Sequence, residues 1–82
     1  MRFNYTPKGT CSVNIAFDLD DGIVRNIQFT RGCHGNTQGV SRLAEGMAAE
    51  ELISRLEGIN CGNRGTSCPD QLAKAVKAAL AQ

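Results

Sequence analysis

Val13, Ile15, Phe17 and Leu19 fall on every second residue, with Ser12, Asn14 and Asp18 between them, which is the period of a half-buried strand. Cys11 shares their parity and is expected to begin this strand on its buried face. Upstream, Phe3 and Tyr5 alternate with polar neighbours, and Thr6-Pro7-Lys8-Gly9-Thr10 reads as a turn. Asp20-Asp21-Gly22 is a hairpin signal. The return strand is expected over about Ile23 to Thr30, with Ile23, Ile27 and Phe29 inward and Arg25 interrupting that row.

Arg31-Gly32-Cys33-His34-Gly35-Asn36 ends the strand, its two glycines and asparagine allowing a tight bend. Beyond it the period changes. Val40, Leu43, Ala44 and Met47 have helical spacing, which Gly46 interrupts. A second helix is predicted over about Ala48 to Glu57, with Leu52, Ile53 and Leu56 apolar and Gly58 as its stop. Asn60 to Gly65 is a polar loop around Cys61. Thr66-Ser67-Cys68-Pro69-Asp70 reads as a helix start: Ser67 or Cys68 as cap, Pro69 at the first position, Asp70 in the first turn. The last helix runs to about Leu80, with Leu72, Val76, Ala79 and Leu80 on one stripe. Three strands followed by three helices predict an α+β fold, helices covering one face of a three-stranded antiparallel sheet.

The chain has 82 residues, read as a single domain, 1–82. A core of this size supplies little stability alone, and such chains often add disulfides, a metal or a partner subunit. The net charge of +1 offers no basic field for nucleic acid. The start lacks the long apolar stretch of a signal peptide, and no apolar run reaches transmembrane length. A cytoplasmic location is therefore expected, where thiols stay reduced.

In that setting the four cysteines, Cys11, Cys33, Cys61 and Cys68, point to metal or redox chemistry. Each sits at an element end or in a glycine-rich bend, and such ends can converge on one edge of a small sandwich. A helix N-terminus at Cys68 favours a thiolate, and four thiolates fill the tetrahedron of a structural zinc site. Arg31, His34 and Arg64 lie beside these cysteines in sequence and could offset the negative charge of such a site. His34 is read as a solvated or supporting imidazole, because four thiolates leave no position for it. Asp70 is explained by the helix dipole alone. The spacing contains no paired C-x₂-C, so two other readings stay open: four small buried hydrophobes, or two disulfides. No nucleophile–base pair, phosphate loop or paired carboxylates stand out, and no catalytic residue is assigned.

At Gly32-Cys33-His34-Gly35-Asn36 and Thr66-Ser67-Cys68-Pro69-Asp70 the chain resembles the TSCPD-domain family over essentially its whole length. That family occurs as small stand-alone proteins and as a C-terminal domain of adenosylcobalamin-dependent ribonucleotide reductases. The resemblance implies a metal-binding cysteine set. A wider resemblance is to iron–sulfur cluster scaffold proteins of the IscU/NifU type, whose three cysteine ligands match Cys11, Cys33 and Cys68. It implies their fold, a three-stranded antiparallel sheet packed with helices. Val13 stands where those scaffolds carry an aspartate that promotes cluster release, and Ser67 where they carry a histidine. Cys61 is a fourth thiol they lack. These departures favour stable metal holding over cluster handover.

Three functions are expected from this reading. The first is a zinc-stabilised module that contacts a partner protein. The second is an iron–sulfur cluster holder or donor, with iron–sulfur machinery as partner. The third is a thiol-redox accessory to a ribonucleotide reductase, with Cys61 and Cys68 cycling between dithiol and disulfide. The chain is too short to be a reductase itself.

Overall fold

The structure is a computed structural model. It describes residues 1–32, 34–62 and 64–82, with all of their side chains except that of His34. The elements run β1 (Arg2–Tyr5), β2 (Asn14–Asp20), β3 (Ile23–Thr30), α1 (His34–Ala44), β4 (Met47–Ala48), α2 (Ala49–Leu56) and α3 (Cys68–Leu80). The α+β class and the three helices agree with the sequence reading. The sheet has four antiparallel strands in the order β1-β2-β3-β4, not three. The added strand is the two-residue β4, which pairs Met47 with Val24 and Ala48 with Ile23. Flanking bonds run from Gly46 N–H to the Val24 carbonyl (2.8 Å) and from Ala49 N–H to the Gly22 carbonyl (2.7 Å). Met-Ala-Ala has helical preference; only the nearby edge of β3, a tertiary neighbour, draws two of these residues into the sheet.

The β2–β3 pair contains a bulge that corrects the expected inward row. Ala16 lies opposite Gln28 and Asp18 opposite Arg25, so Phe17 faces both Asn26 and Ile27. Asn26 takes a left-handed conformation, φ +53°, which asparagine tolerates better than most residues. Its side chain donates to Asp18 Oδ2 (2.7 Å), and its backbone N–H donates to Glu45 Oε1 (2.8 Å). That Asn26 hydrogen bond is the main reason the Asp18 carboxyl titrates below its ordinary value, with Arg2 adding to it. The extra residue reverses the parity. Val24, rather than Ile23, is fully buried, and Ile27 follows it into the core three positions later.

The core fills the space between sheet and helices. Ile15, Phe17 and Val24 meet Leu52, Leu72 and Val76, all fully buried, each contributing roughly 1.5–3 kcal/mol by burial. Phe3 stacks on Phe17 with ring centroids 5.7 Å apart. Helix α3 lies against β2 and α2, and α1 against β3. Leu43 points away from this core and is 80% exposed, although helical spacing assigned it to the buried stripe. Among the described residues no helix is long and apolar enough to cross a membrane.

Candidate functional site

The site begins at the N-terminus of α3. Ser67 is the cap: its Oγ accepts from Asp70 N–H (3.1 Å) and donates to the Ile59 carbonyl (2.7 Å). Cys68 is therefore the first helical residue, and Pro69, which has no N–H to satisfy, follows it. The Cys68 side chain is buried, and its Sγ lies 2.9 Å from Ser12 Oγ.

Two loops converge on this helix end. The segment between β1 and β2 carries Cys11, and the segment between α2 and α3 carries Cys61; both thiols are exposed. Cys11, Cys61 and Cys68 line one small cavity of about 40 Å³, together with Asn36, Arg64 and Ser67. The Arg64 guanidinium donates to Cys11 Sγ at 3.2 Å. Cys33, the remaining expected ligand, lies outside the described residues, as does the His34 side chain. The residue before it, Gly32, is close to the same place. A Cβ on Gly32 would stand 2.6 Å from Ser12 Oγ and 3.5 Å from Cys68 Sγ, and φ there is +105°.

Two expectations need correction. Cys11 does not begin a strand on its buried face: β2 starts at Asn14, and Cys11 is exposed in a bend. Ser12 takes the inward place because its hydroxyl has a partner in Cys68, and Val13 is left 49% exposed. Asp70 does more than offset a helix dipole. It is 2% exposed; Oδ1 accepts Gly58 N–H (2.7 Å), while Oδ2 accepts the Thr66 hydroxyl and faces Lys74 Nζ at 3.2 Å. Desolvation pushes its pKa upward, but the hydrogen bonds from Thr66 and Gly58 and the Lys74 charge together hold it below the ordinary value.

Sequence reasoning also missed Ser12, Thr66 and Gln71. Gln71 Nε2 donates to Thr66 Oγ1 (2.9 Å), and Gln71 Oε1 accepts the backbone N–H of Lys8 (3.0 Å). Buried polar groups at a helix start leave no periodic signal. Their one trace is the run Thr66-Ser67-Cys68-Pro69-Asp70-Gln71 itself, in which every side chain but that of Pro69 can hydrogen-bond.

The described cysteines are free thiols, so the structure contains no Cys11–Cys61, Cys11–Cys68 or Cys61–Cys68 disulfide. The reading of all four as buried hydrophobes fails for Cys11 and Cys61, which are exposed. Among the described residues no group of three or more His, Cys, Asp or Glu side chains is gathered tightly enough to hold a metal ion.

The model of the TSCPD domain family matches residues 1–80. The chain belongs to this family. The match takes in every element and leaves out only the last two residues of the chain, so the TSCPD domain is the whole fold described above, not an appendage to it. No curated protein and no solved structure matches the chain, and the expected likeness to iron–sulfur scaffolds draws no support from these comparisons.

Proposed function

We propose that this TSCPD domain is a small metal-holding module in which Cys11, Cys33, Cys61 and Cys68 bind one ion, zinc in the first instance, and the stapled fold engages a partner protein. One observation carries the reading: three thiols, Cys11 from the β1–β2 segment and Cys61 and Cys68 from fifty and more residues further on, line a single cavity at the N-terminus of a helix. Thiolates are the donors a zinc tetrahedron takes, at about 2.3 Å. The donor set suits the ion, and Arg64 beside Cys11 supplies a positive charge against the excess of thiolate. Binding would exchange the present partners of Cys68 and Cys11, Ser12 and Arg64, for metal bonds. An ion held this way supplies folding energy to a chain with little core. An iron–sulfur cluster would use the same thiolates. The family's occurrence at the C-terminus of ribonucleotide reductases makes such an enzyme the first partner to try, ahead of iron–sulfur machinery.

Anaerobic purification followed by elemental analysis tests the reading. One zinc per chain in colourless protein supports it. Brown protein with iron and sulfide replaces zinc by a cluster. A Cys61→Ser variant that keeps its metal and its melting temperature removes Cys61 from the ligand set.

Exposure of Cys11 and Cys61 on the same cavity favours a second reading, thiol redox. Here the reachable pair is Cys11 with Cys61, because Cys68 is buried. Titration of thiols with and without chelator separates the two: thiols protected until metal is withdrawn are ligands at rest, not electron carriers.

A further inference from the structure

Asp70 and Gln71 are neighbours in the first turn of α3, and each holds a different cysteine-bearing loop. Asp70 grips both ends of the loop around Cys61. Its Oδ1 accepts Gly58 N–H at one end and its Oδ2 accepts the Thr66 hydroxyl at the other. Within that loop Cys61 N–H bonds the Thr66 carbonyl at 3.0 Å, and Arg64 N–H bonds the Cys61 carbonyl at 3.2 Å. Gln71 reaches the other way. Its Oε1 accepts Lys8 N–H in the loop that leads to Cys11, while its Nε2 donates to Thr66 Oγ1. Gly9 in that same loop comes so close that a Cβ would lie 2.9 Å from Thr66 Cγ2, with φ at +76°. Thr66 therefore joins the two clamps, donating to one and accepting from the other. Asp70 and Gln71 are both buried, and among the described residues no buried side-chain polar atom lacks a partner.

We propose that Asp70 and Gln71 are separate positioning residues for the cysteine cavity: Asp70 sets Cys61 against Cys68, and Gln71 sets Cys11 against Cys68. Neither bonds a sulfur: Asp70 acts through Gly58 N–H and the Thr66 hydroxyl, Gln71 acts through Lys8 N–H, and the two share Thr66. The inference rests on the reading of these three cysteines as one working set, and it explains that set without requiring that a metal be bound. Only Gln71 holds the Cys11 loop and only Asp70 holds the Gly58 end of the Cys61 loop, so removing one clamp lowers the local concentration of its own thiol far more than that of the other, which feels only the shared Thr66.

Thiol–disulfide exchange with glutathione measures that concentration for each pair. Two full-length backgrounds are needed: one keeping Cys11 and Cys68 (Cys33→Ser with Cys61→Ser), one keeping Cys61 and Cys68 (Cys11→Ser with Cys33→Ser). In each, two protein thiols are oxidised to one disulfide while one glutathione disulfide is reduced to two glutathione molecules. Gln71→Met is expected to lower the effective concentration of the Cys11–Cys68 pair about tenfold, the usual consequence of leaving buried partners unsatisfied, and to leave Cys61–Cys68 within about twofold. Asp70→Ala is expected to do the reverse. Equal falls in both pairs, or no fall in either, overturn the proposal. If Asp70→Ala does not fold, Gln71→Met decides by the same two outcomes. A parallel titration of the wild-type chain with cobalt(II) keeps the two readings apart: selective falls in a chain that takes no cobalt overturn the metal site and leave the clamps standing.

Discussion

Ser12 Oγ lies 2.9 Å from Cys68 Sγ, two buried side chains joined across 56 residues of chain. Gly32 sits against the same pair, where an added Cβ would fall 2.6 Å from Ser12 Oγ and 3.2 Å from Thr37 Cγ2. Gly32→Ala therefore carries a steric conflict with Ser12 and the strain of a left-handed φ, the latter about 1–3 kcal/mol. Ser12→Ala removes the hydroxyl, costs about 1 kcal/mol by itself and relieves the steric conflict. The double variant is expected to be less destabilised than the sum of the two singles in urea unfolding. Strict additivity would mean the backbone has moved away and that the close approach is not what requires glycine at position 32.

Burial separates the three described thiols. In metal-free native protein, Cys11 and Cys61 are expected to react with iodoacetamide well before Cys68, which must wait for local opening of the α3 end. Peptide mapping of a labelling time course checks the order. Labelling of Cys68 at the rate of the other two would show that the helix start is open in solution.

The parts of this molecule that repeat were readable from the sequence, and the parts that depend on distant partners were not. Alternation over Ile15, Phe17 and Leu19 located β2, and Thr66-Ser67-Cys68-Pro69-Asp70 narrowed the cap to Ser67 or Cys68, of which the structure takes Ser67; both signals are local. The left-handed Asn26 turned Val24 inward in place of Ile23, and no periodicity could announce it. Strand β4 exists only because the edge of β3 is within reach. At the site, all four cysteines were expected to converge from element ends and glycine-rich bends; Cys11, Cys61 and Cys68 line one cavity, although Cys11 reaches it from a bend before β2 and not from the strand's start. The inward turn of Ser12 was not expected, since its partner Cys68 is 56 residues away along the chain.

Leu43 and Leu72 have the same side chain and opposite environments. Leu72 is fully buried on α3, the helix that packs against β2 and α2, and Leu43 is 80% exposed. Leu72→Ala is expected to cost about 2–5 kcal/mol, a large share of the roughly 4–12 kcal/mol available to a domain of this length. Leu43→Ala is expected to change stability by less than about 0.5 kcal/mol. Thermal unfolding of the two variants side by side checks the contrast. A large loss at Leu43 would reveal that its side chain is covered in solution.

Asp70 makes stability depend on acid in a direction fixed by its surroundings. The folded chain holds its pKa below the ordinary 3.8, because the favourable bonds from Thr66, Gly58 and Lys74 outweigh the desolvation that opposes them. In the unfolded chain those partners are gone, so the unfolded state binds the proton first as pH falls. The stabilisation is therefore complete above about pH 3.8 and drains away as pH drops through the lower folded value. Asp18, lowered mainly by Asn26, adds to the loss with the same sign. Asp70→Asn cannot titrate, and it also weakens the grip on Thr66 and Lys74. The variant is expected to be less stable than wild type at neutral pH and to lose less on acidification from pH 5 to about pH 2, so the two stability curves converge in acid. Urea unfolding at half-unit pH steps measures both curves. Parallel curves would mean that Asp70 is protonated alike in the folded and unfolded chain, which its bonds to Gly58 and Thr66 do not permit.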